Sequence, residues 1–426
     1  MASFTDDFNR ANGAPGADWD TLIGGMTIVS NALVADSTAY SYAVCDQAAA
    51  TDNLRVATTV TDGVDAMDQF CRLGDAAANY DMVQAKWSAG GALSFSYTKD
   101  GVDTDGLIVA PGTTSWVATD VLETQAFNGV YTAMKNSAPV ISWQDPGNVL
   151  YANVNSTHRL GGFAFTNAVA NKGANSYTIA DITIPAWTAP TVVSTASSTL
   201  TASRSPTVTF PTSWIPAADD VVILAPSSTA LTATITAPGG WTNVLGGTTD
   251  VRSDVHQLCA VAYPVSSSDA SGVVRTYTAT NLYSVAQTGN TVGIVVRGAD
   301  VANLIDSSNT SSNVNNTTAH VIPSLTGSNL STDSLAVGIV VKRATGTYTL
   351  SNGWQVLASS NTNMGKVVCS YGLPMVAGTN LAAGTATASA TAEYCSITLA
   401  LSKAAGVTAP IFVQETWTAL QRASLW

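Results

Sequence analysis

Charge is what this sequence has least of. Asp, Glu, Lys and Arg make up only 11% of its 426 residues, well below the roughly 25% usual for soluble domains. Lys and Arg form no cluster, and the net charge is −12. A nucleic-acid footprint needs a basic patch, so no nucleic-acid partner is expected. An anionic membrane surface is excluded on the same ground. Glutamate is nearly missing: Glu123, Glu393 and Glu415 are all there is. Glycosidases need paired carboxylates at a cleft, and no Glu-x-Asp-x-x-Glu pattern occurs. Asp62, Asp65 and Asp68 recur every third residue, but in a segment that reads as a turn.

Histidine is equally sparse, with His158, His256 and His320 and no His-Glu-x-x-His pair. Gly-x-Ser-x-Gly, the phosphate-binding P-loop and a Gly-x-Gly-x-x-Gly in an α/β setting are all missing. Serine is too abundant for any single Ser/His/Asp grouping to be picked out by spacing. The expectation is therefore no enzyme and no cofactor. The five cysteines, Cys45, Cys71, Cys259, Cys369 and Cys395, are odd in number and widely spaced. They read as buried thiols on strands rather than as a metal knuckle or disulfide framework, with a Cys369–Cys395 bridge as the lesser alternative. The opening MASFTDDFNR has neither a basic nor an apolar region, so no secretory signal is expected. The longest apolar stretch, 335–341, is far short of the roughly 18 residues of a spanning helix. Synthesis in the cytosol as a soluble chain follows as an expectation.

What is present is alternation. Apolar residues reach 46%, enough for real cores. They recur with period two in Leu54–Val60, Tyr80–Trp87, Leu93–Tyr97, Val130–Met134 and Val149–Val154. Turn residues separate them, as in Ser88-Ala89-Gly90-Gly91 and Thr98-Lys99-Asp100-Gly101. Side chains of a strand point alternately to opposite faces, so these are half-buried strands. Within residues 1–187 no window of a dozen residues carries helical periodicity. The predicted fold class is all-β, with two β-sandwich domains. The first spans 1–187. A Pro- and Ser/Thr-rich stretch over 188–197 reads as a linker. The second spans 198–405, and 406–426 form a short C-terminal tail.

The second domain repeats itself, over about 215–300 and 328–403. Asp220 precedes Trp241 by 21 positions, and Asp333 precedes Trp354 by 21. Each Trp follows a glycine, Gly240 or Gly353, and Cys259 and Cys369 each stand five residues before a proline. One supersecondary unit is used twice. A unit of about 80 residues buries both strand faces poorly alone, so the two copies are expected to pack face to face in a jelly-roll-like sandwich.

These residues also carry a resemblance. Asp6-Asp7-Phe8-Asn9-Arg10, then Trp19 and Ile28–Leu33, resembles the opening of concanavalin/laminin-G-like sandwiches in bacteriophage virion proteins. Tyr80–Trp87 resembles the central strand of such domains, and Leu160-Gly161-Gly162-Phe163 a late glycine-bearing strand. Pro238–Trp241 and Val296–Asp300 resemble a jelly-roll module of phage minor tail proteins. The resemblance covers nearly all of the chain except the tail, on motifs of moderate specificity. It implies a structural virion protein, a minor tail protein acting in host adsorption and contacting host-surface glycan. Its partners would be other virion subunits, in a homo-oligomer set by virion symmetry. Two alternatives stay open: a capsid decoration protein, and a lectin-like carbohydrate-binding module of a bacterial surface protein.

Three groups of candidate site residues follow. Trp116, Trp143 and Tyr151, with Asp145 and Asn148 in a turn, are the aromatics and polar groups that would hold a glycan, though aromatics more often fill cores. Asp100, Asp103 and Asp105 sit in a glycine-bearing stretch and suit calcium, although no glutamate completes the loop pattern and a plain polar hairpin loop reads better. In the tail, Phe412, Val413, Trp417, Leu420 and Trp426 are apolar, with Val413, Trp417 and Leu420 at helical spacing. They would dock onto another virion subunit or onto the chain's own second domain, the former favoured by the linker before them.

Overall fold

Leu54–Val60 shows how the strands form: every second side chain is buried and the intervening ones are half-buried, as a strand with one face on a core requires. The computed structural model describes residues 3–23, 25–35, 41–61, 66–73, 81–88, 91–99, 101–145, 159–166, 173–182, 189–229, 233–245, 250–253, 256–326 and 330–405. Within them the chain is all-β, and the one helix is the single turn Ser267–Ser271, capped by Ser266. No helix among them is long and apolar enough to cross a membrane. Tyr80, His158, the strand expected at Val149–Val154 and the whole 406–426 tail lie outside the described residues.

The N-terminal part is a two-sheet antiparallel sandwich. The first sheet runs Ala138–Gln144, Val130–Lys135, Val121–Phe127, Leu54–Val60, Gly173–Asp181, Ala32–Ala35, Met26–Val29, and Ser3–Asp6 also pairs with Gly173–Asp181. The second runs Val102–Val109, Leu93–Lys99, Met82–Ser88, Ala66–Leu73, Leu160–Thr166, Ser41–Cys45, Trp19–Ile23. The inward residues of both make one core that includes Trp87, Phe95, Phe163, Tyr131 and Trp143. Gln69 bridges the sheets inside it: its Nε2 donates to the Leu122 carbonyl (2.7 Å) and Thr58 Oγ1 (3.1 Å), and its Oε1 accepts from Thr124 Oγ1 (3.0 Å). At the opening corner, Asp6 is buried and accepts from both Arg10 nitrogens (2.7 and 2.8 Å), the Phe8 amide (2.8 Å) and Trp19 Nε1 (2.8 Å). The Asp-Asp-Phe-Asn-Arg motif is thus a packing device that holds Trp19 in the core.

The remaining chain forms two large sheets, one from each repeat, and a two-stranded ribbon of Thr207–Thr209 with Thr276–Thr278. In the first, the order is Thr191–Ser203, Gln287–Arg297, Val221–Ser228, Val261–Pro264, Thr242–Asn243, with the short Gln257–Leu258 and Val251–Arg252 alongside. In the second it is Ile305–Ile322, Gly384–Leu401, Leu335–Lys342, Gly365–Tyr371, Trp354–Ser360. Counted along each repeat, both orders read first, last, second, fourth, third. The two sheets share one core, with Val221, Ile223, Val292 and Ile294 facing Val337, Ile339, Ile397 and Leu399. Their opposite faces are buried too, under separate clusters around Phe210 and Trp214 and around Trp354 and Ile322. This accounts for the near-continuous apolar runs of Val221–Ser228 and Leu335–Lys342, buried at every position.

Three expectations are corrected here. The 188–197 stretch is not a free linker: Thr191–Ser203 is a strand, buried from Thr191 to Ser194, because its Thr and Val side chains fit a pleated surface. Each repeat therefore starts one strand earlier than 215 and 328, at Thr191 and Ile305. The matching of Asp220 with Asp333 is off by one. Asp219 and Asp333 share the same positive φ (69° and 68°). Asp219 donates its amide to Val265 O and Asp333 to Met375 O, while Val265 N and Met375 N return to Asp220 O and Ser334 O. The Cys–Pro match is a coincidence as well. Register pairs Leu224 with Val261 and its counterpart Gly338 with Cys369, so Val261, not Cys259, stands at the Cys369 position. The shared landmark is Tyr263 and Tyr371, packed against Trp241 and Trp354. All five cysteines are buried free thiols. Cys369 and Cys395 belong to clusters on opposite faces of one sheet, so they do not face each other.

The sandwich docks onto the second repeat. Ser142 N donates to Gly372 O (2.6 Å) and Gly353 N to Val109 O (2.6 Å). Gln144 N donates to Gln355 Oε1 (2.9 Å), and Gln355 Nε2 returns to Gln144 O (3.0 Å). A Cβ at Gly372 would lie 2.5 Å from Ile108 Cδ1, so glycine permits this approach.

Candidate functional site

The predicted glycan residues do not form one surface cluster. Trp143 points into the sandwich core, 6% exposed, stacked between Tyr131 (5.3 Å) and Tyr97 (6.4 Å). Strand parity puts it inward, opposite Tyr131 in the register. Trp116 packs partly buried against that core, edge-on to Trp87. Asp145 is buried beside the turn, its amide donating to Gly129 O. Asn148 and Tyr151 lie outside the described residues.

The calcium candidates are placed differently from the expected loop. Val102–Val109 is an edge strand, not a loop, and Asp103 and Asp105 point to one side of it. Asp103 accepts from Thr98 Oγ1 (2.5 Å) and Asp105 from Lys86 Nζ (2.6 Å). Asp100 lies outside the described residues. Among the described residues, no three His, Cys, Asp or Glu side chains group as a metal would need.

These contacts instead lead to a polar patch on the second sheet. Along Ala66–Leu73, Met67 and Cys71 join the sandwich core, so Asp68 and Phe70 take the other face. Asp68 is therefore on a strand, not in a turn; Asp62 and Asp65 are outside the described residues. Register places Lys86 opposite Asp68 and Ser94 beyond it, and on the other side Ala164 and then Tyr42. In the adjacent row stand Phe70, Gln84 and Ser96. Tyr42 stacks on buried Phe70 at 5.1 Å, nearly parallel. Gln84 Nε2 donates to Thr98 Oγ1 (2.8 Å).

Two groups on this face are buried with no partner among the described residues. Ser96 Oγ has none. The Asp68 carboxyl is 6% exposed and accepts no hydrogen bond from the described residues. Its pKa is pushed up to about 7, by burial first and then by the negative charges of Asp105 and Asp103, against the pull of Lys86. Burial works against the Lys86 ammonium, but Asp105, Asp68 and Asp103 together hold its pKa above the ordinary lysine value. Buried polar atoms are nearly always satisfied. Such a pair beside an ion pair and an aromatic ring suits a ligand rich in hydroxyl groups.

His256 is the other chemical grouping. Its Nδ1 lies 2.8 Å from Ser253 Oγ, and Ser253 Oγ lies 3.4 Å from Glu393 Oε2. The serine, not the histidine, is the middle member, and His256 is fully buried. Burial pulls its pKa down to about 4. A nucleophile relay needs the histidine between hydroxyl and carboxylate, so this arrangement is a packing contact. His320 stacks on Tyr394 (4.7 Å) and is likewise buried.

No family model matches the chain, and no curated protein matches it. Among solved structures, the chain is similar to the carbohydrate-binding module CBM66 from Bacillus subtilis, at 14% identity over 39% of this chain and 95% of that one, TM-score 0.27. The VIP36 exoplasmic/lumenal domain in its Ca2+/Man3GlcNAc-bound form matches at 11% identity over 39% and 85%, TM-score 0.28. Apo Crh5 transglycosylase matches at 11% identity over 43% and 85%, TM-score 0.30. Likenesses this shallow transfer neither ligand nor activity.

The patch was not anticipated from the sequence, but a signal existed. In Ala66-Met67-Asp68-Gln69-Phe70-Cys71 the alternation is of two kinds of face, and the acidic residue sits in line with an aromatic one.

Proposed function

We propose that this chain is a non-catalytic carbohydrate-binding protein whose N-terminal sandwich holds a saccharide on the face bearing Asp68, Lys86, Ser96 and Tyr42. The observation that carries the reading is the buried Asp68 carboxyl with no hydrogen-bond donor from the described residues, one register position from Lys86. A sugar hydroxyl both donates and accepts, so it satisfies Asp68, Ser96 Oγ and Lys86 together, while a ring face lies against Tyr42. The setting we propose, on the sequence resemblance alone, is the surface of a phage virion, where such a face would meet host glycan.

A glycan array followed by calorimetry with the full chain tests this reading. Each hydrogen bond to a charged group contributes about 1.5–3 kcal/mol, so Asp68→Asn and Lys86→Met should each weaken binding by roughly 10- to 100-fold. Both variants binding as the wild type does would refute the site, and release of reducing sugar from bound glycan would refute the non-catalytic reading. Detection of the chain by mass spectrometry in purified particles tests the virion setting separately.

A further inference from the structure

The repeats differ most where they are otherwise most alike. In both, a Gly-Trp turn sets an indole against a tyrosine, Trp241 on Tyr263 (5.3 Å) and Trp354 on Tyr371 (5.5 Å). In the first repeat the tyrosine hydroxyl is engaged. The helix Ser267–Ser271 follows the tyrosine strand, and its Asp269 accepts the Tyr263 hydroxyl at 3.1 Å. The second repeat has no helix there. Its chain bridges to Ser334 at Met375 and to Leu325 at Leu381, and between them lies a cleft of about 740 Å³.

The cleft's chemistry is consistent throughout. Its lining includes Pro111, Asn352, Trp354, Tyr371, Val376 and Asn380, and no charged side chain. Trp354 is 4% exposed, yet no described residue accepts from its Nε1. A Cβ at Gly384 would fall 2.6 Å from that nitrogen, so glycine leaves this edge of the indole uncovered. The Tyr371 hydroxyl likewise has no partner among the described residues. Pro111 comes from the sandwich, so this wall exists only because the sandwich is docked, with Gly353 N bonded to Val109 O. Val376 stands at the rim, 57% exposed.

We infer that this cleft is a second binding site, for a neutral saccharide, independent of the Asp68 face. An uncharged lining gives an ionic ligand no counter-charge for its lost hydration. The Trp354 N–H and the Tyr371 phenol call for an acceptor and a hydroxyl, and the surrounding Pro, Val and Tyr surface needs an apolar face. A sugar ring supplies all three. The volume lies in the range usual for small-ligand sites. In the first repeat the matching tyrosine hydroxyl is taken by Asp269 of the helix.

The test uses saturation-transfer NMR on the full-length Asp68→Asn chain, which takes the sandwich face out of play. Cellotetraose, maltotetraose and triacetylchitotriose are titrated separately, with a proline-rich peptide as a competing occupant. At least one saccharide should receive saturation. Val376→Trp fills the cleft from an exposed position and should cut that signal by about tenfold. Tyr371→Phe, which keeps the ring, should weaken it severalfold. Circular dichroism confirms that both variants fold. Silence from all three saccharides, saturation of the peptide alone, or a Val376→Trp chain that binds as its parent does would each overturn the proposal.

Discussion

Asp220 is the place where one substitution should do most damage for reasons the fold makes explicit. Its carboxylate is 1% exposed. It accepts Arg297 Nε and Nη2 (both 2.7 Å), the Ala217 amide (3.0 Å) and Trp214 Nε1 (3.2 Å). Arg297 is itself only 19% exposed. Asp220→Ala therefore takes the carboxylate from a largely buried guanidinium, which keeps the Ile215 carbonyl (3.1 Å), and removes the acceptor of the Trp214 indole N–H. Removing one partner of a buried pair costs about 3–5 kcal/mol, mostly the desolvation of the charge left behind. In a body of roughly 200 residues that is a fall in Tm of about 6–20 °C. The second repeat shows how the corner is built without the pair. There Ser334 takes the Asp220 position and, by register, Ser402 that of Arg297. Both hydroxyls donate to Asp306, Ser402 at 2.6 Å. The double change Asp220→Ser with Arg297→Ser removes both charges, so it should recover most of the loss and leave a deficit of about 1 kcal/mol. Equilibrium urea unfolding of the three chains measures this. The reasoning fails if Asp220→Ala costs less than about 1 kcal/mol, or if the double variant is no more stable than the single one.

Two further predictions concern the joints between sheets. Lys366 crosses the shared core, 1% exposed, and donates to Ala225 O (2.6 Å) and Asn290 O (3.2 Å) of the other repeat. Burial pulls its pKa down to about 7 from the ordinary 10.5. Between those values the unfolded chain binds more protons than the folded one, so stability should rise with pH, by about 1.4 kcal/mol per unit. The gain starts near pH 7, and below that both states are charged and this slope vanishes. The buried thiols add an opposing slope toward pH 8.5, equal in both chains, so urea unfolding between pH 7 and 8.5 should give a wild-type slope more positive than that of Lys366→Met; an equal slope in both would exclude Lys366 as a source. At the other joint, Gln355→Ala removes both bonds to the Gln144 backbone and should cost about 1–3 kcal/mol of docking. Limited proteolysis should then cut faster between the sandwich and the repeats, and an unchanged pattern would show that the glutamine pair does not hold the joint.

Much of the fold was legible in the sequence, because burial leaves a period. Leu54–Val60 and Leu93–Tyr97 alternate in sequence as they do in space, and the fully buried runs at 221–228 and 335–342 read as central strands. What misled was spacing without register. The 21-residue interval from Asp to Trp is equal in both repeats only because a one-residue shift at Asp219/Asp220 is offset before the Gly-Trp turn. The interval from Cys to Pro agrees although Val261, not Cys259, pairs where Cys369 does. Thr191–Ser203 was hidden for a different reason: an edge strand of Ser and Thr has the composition of a linker, and only its pairing with Gln287–Arg297 distinguishes the two. The candidate site was hidden by parity. Trp143 and Asp68 each sit on a strand, and one residue of phase decides that the tryptophan enters the core while the carboxyl takes the opposite face of its sheet.

The duplication explains why function is expected away from the shared core. Each repeat's central strands are buried on both faces, one against the other repeat and one under its own cover. The inner faces meet each other, so a change at Ile223 or Ile397 must be matched across the interface. The covers have no such partner. The first repeat covers its strands with Phe210, Trp214 and a helix that binds Tyr263, and the second leaves Tyr371 beside a cleft completed by the sandwich. A duplicated unit is free to diverge only where its copies do not touch. The covers are therefore where the copies differ, and the Trp354–Tyr371 pair, with no helix following its tyrosine strand, is one such place.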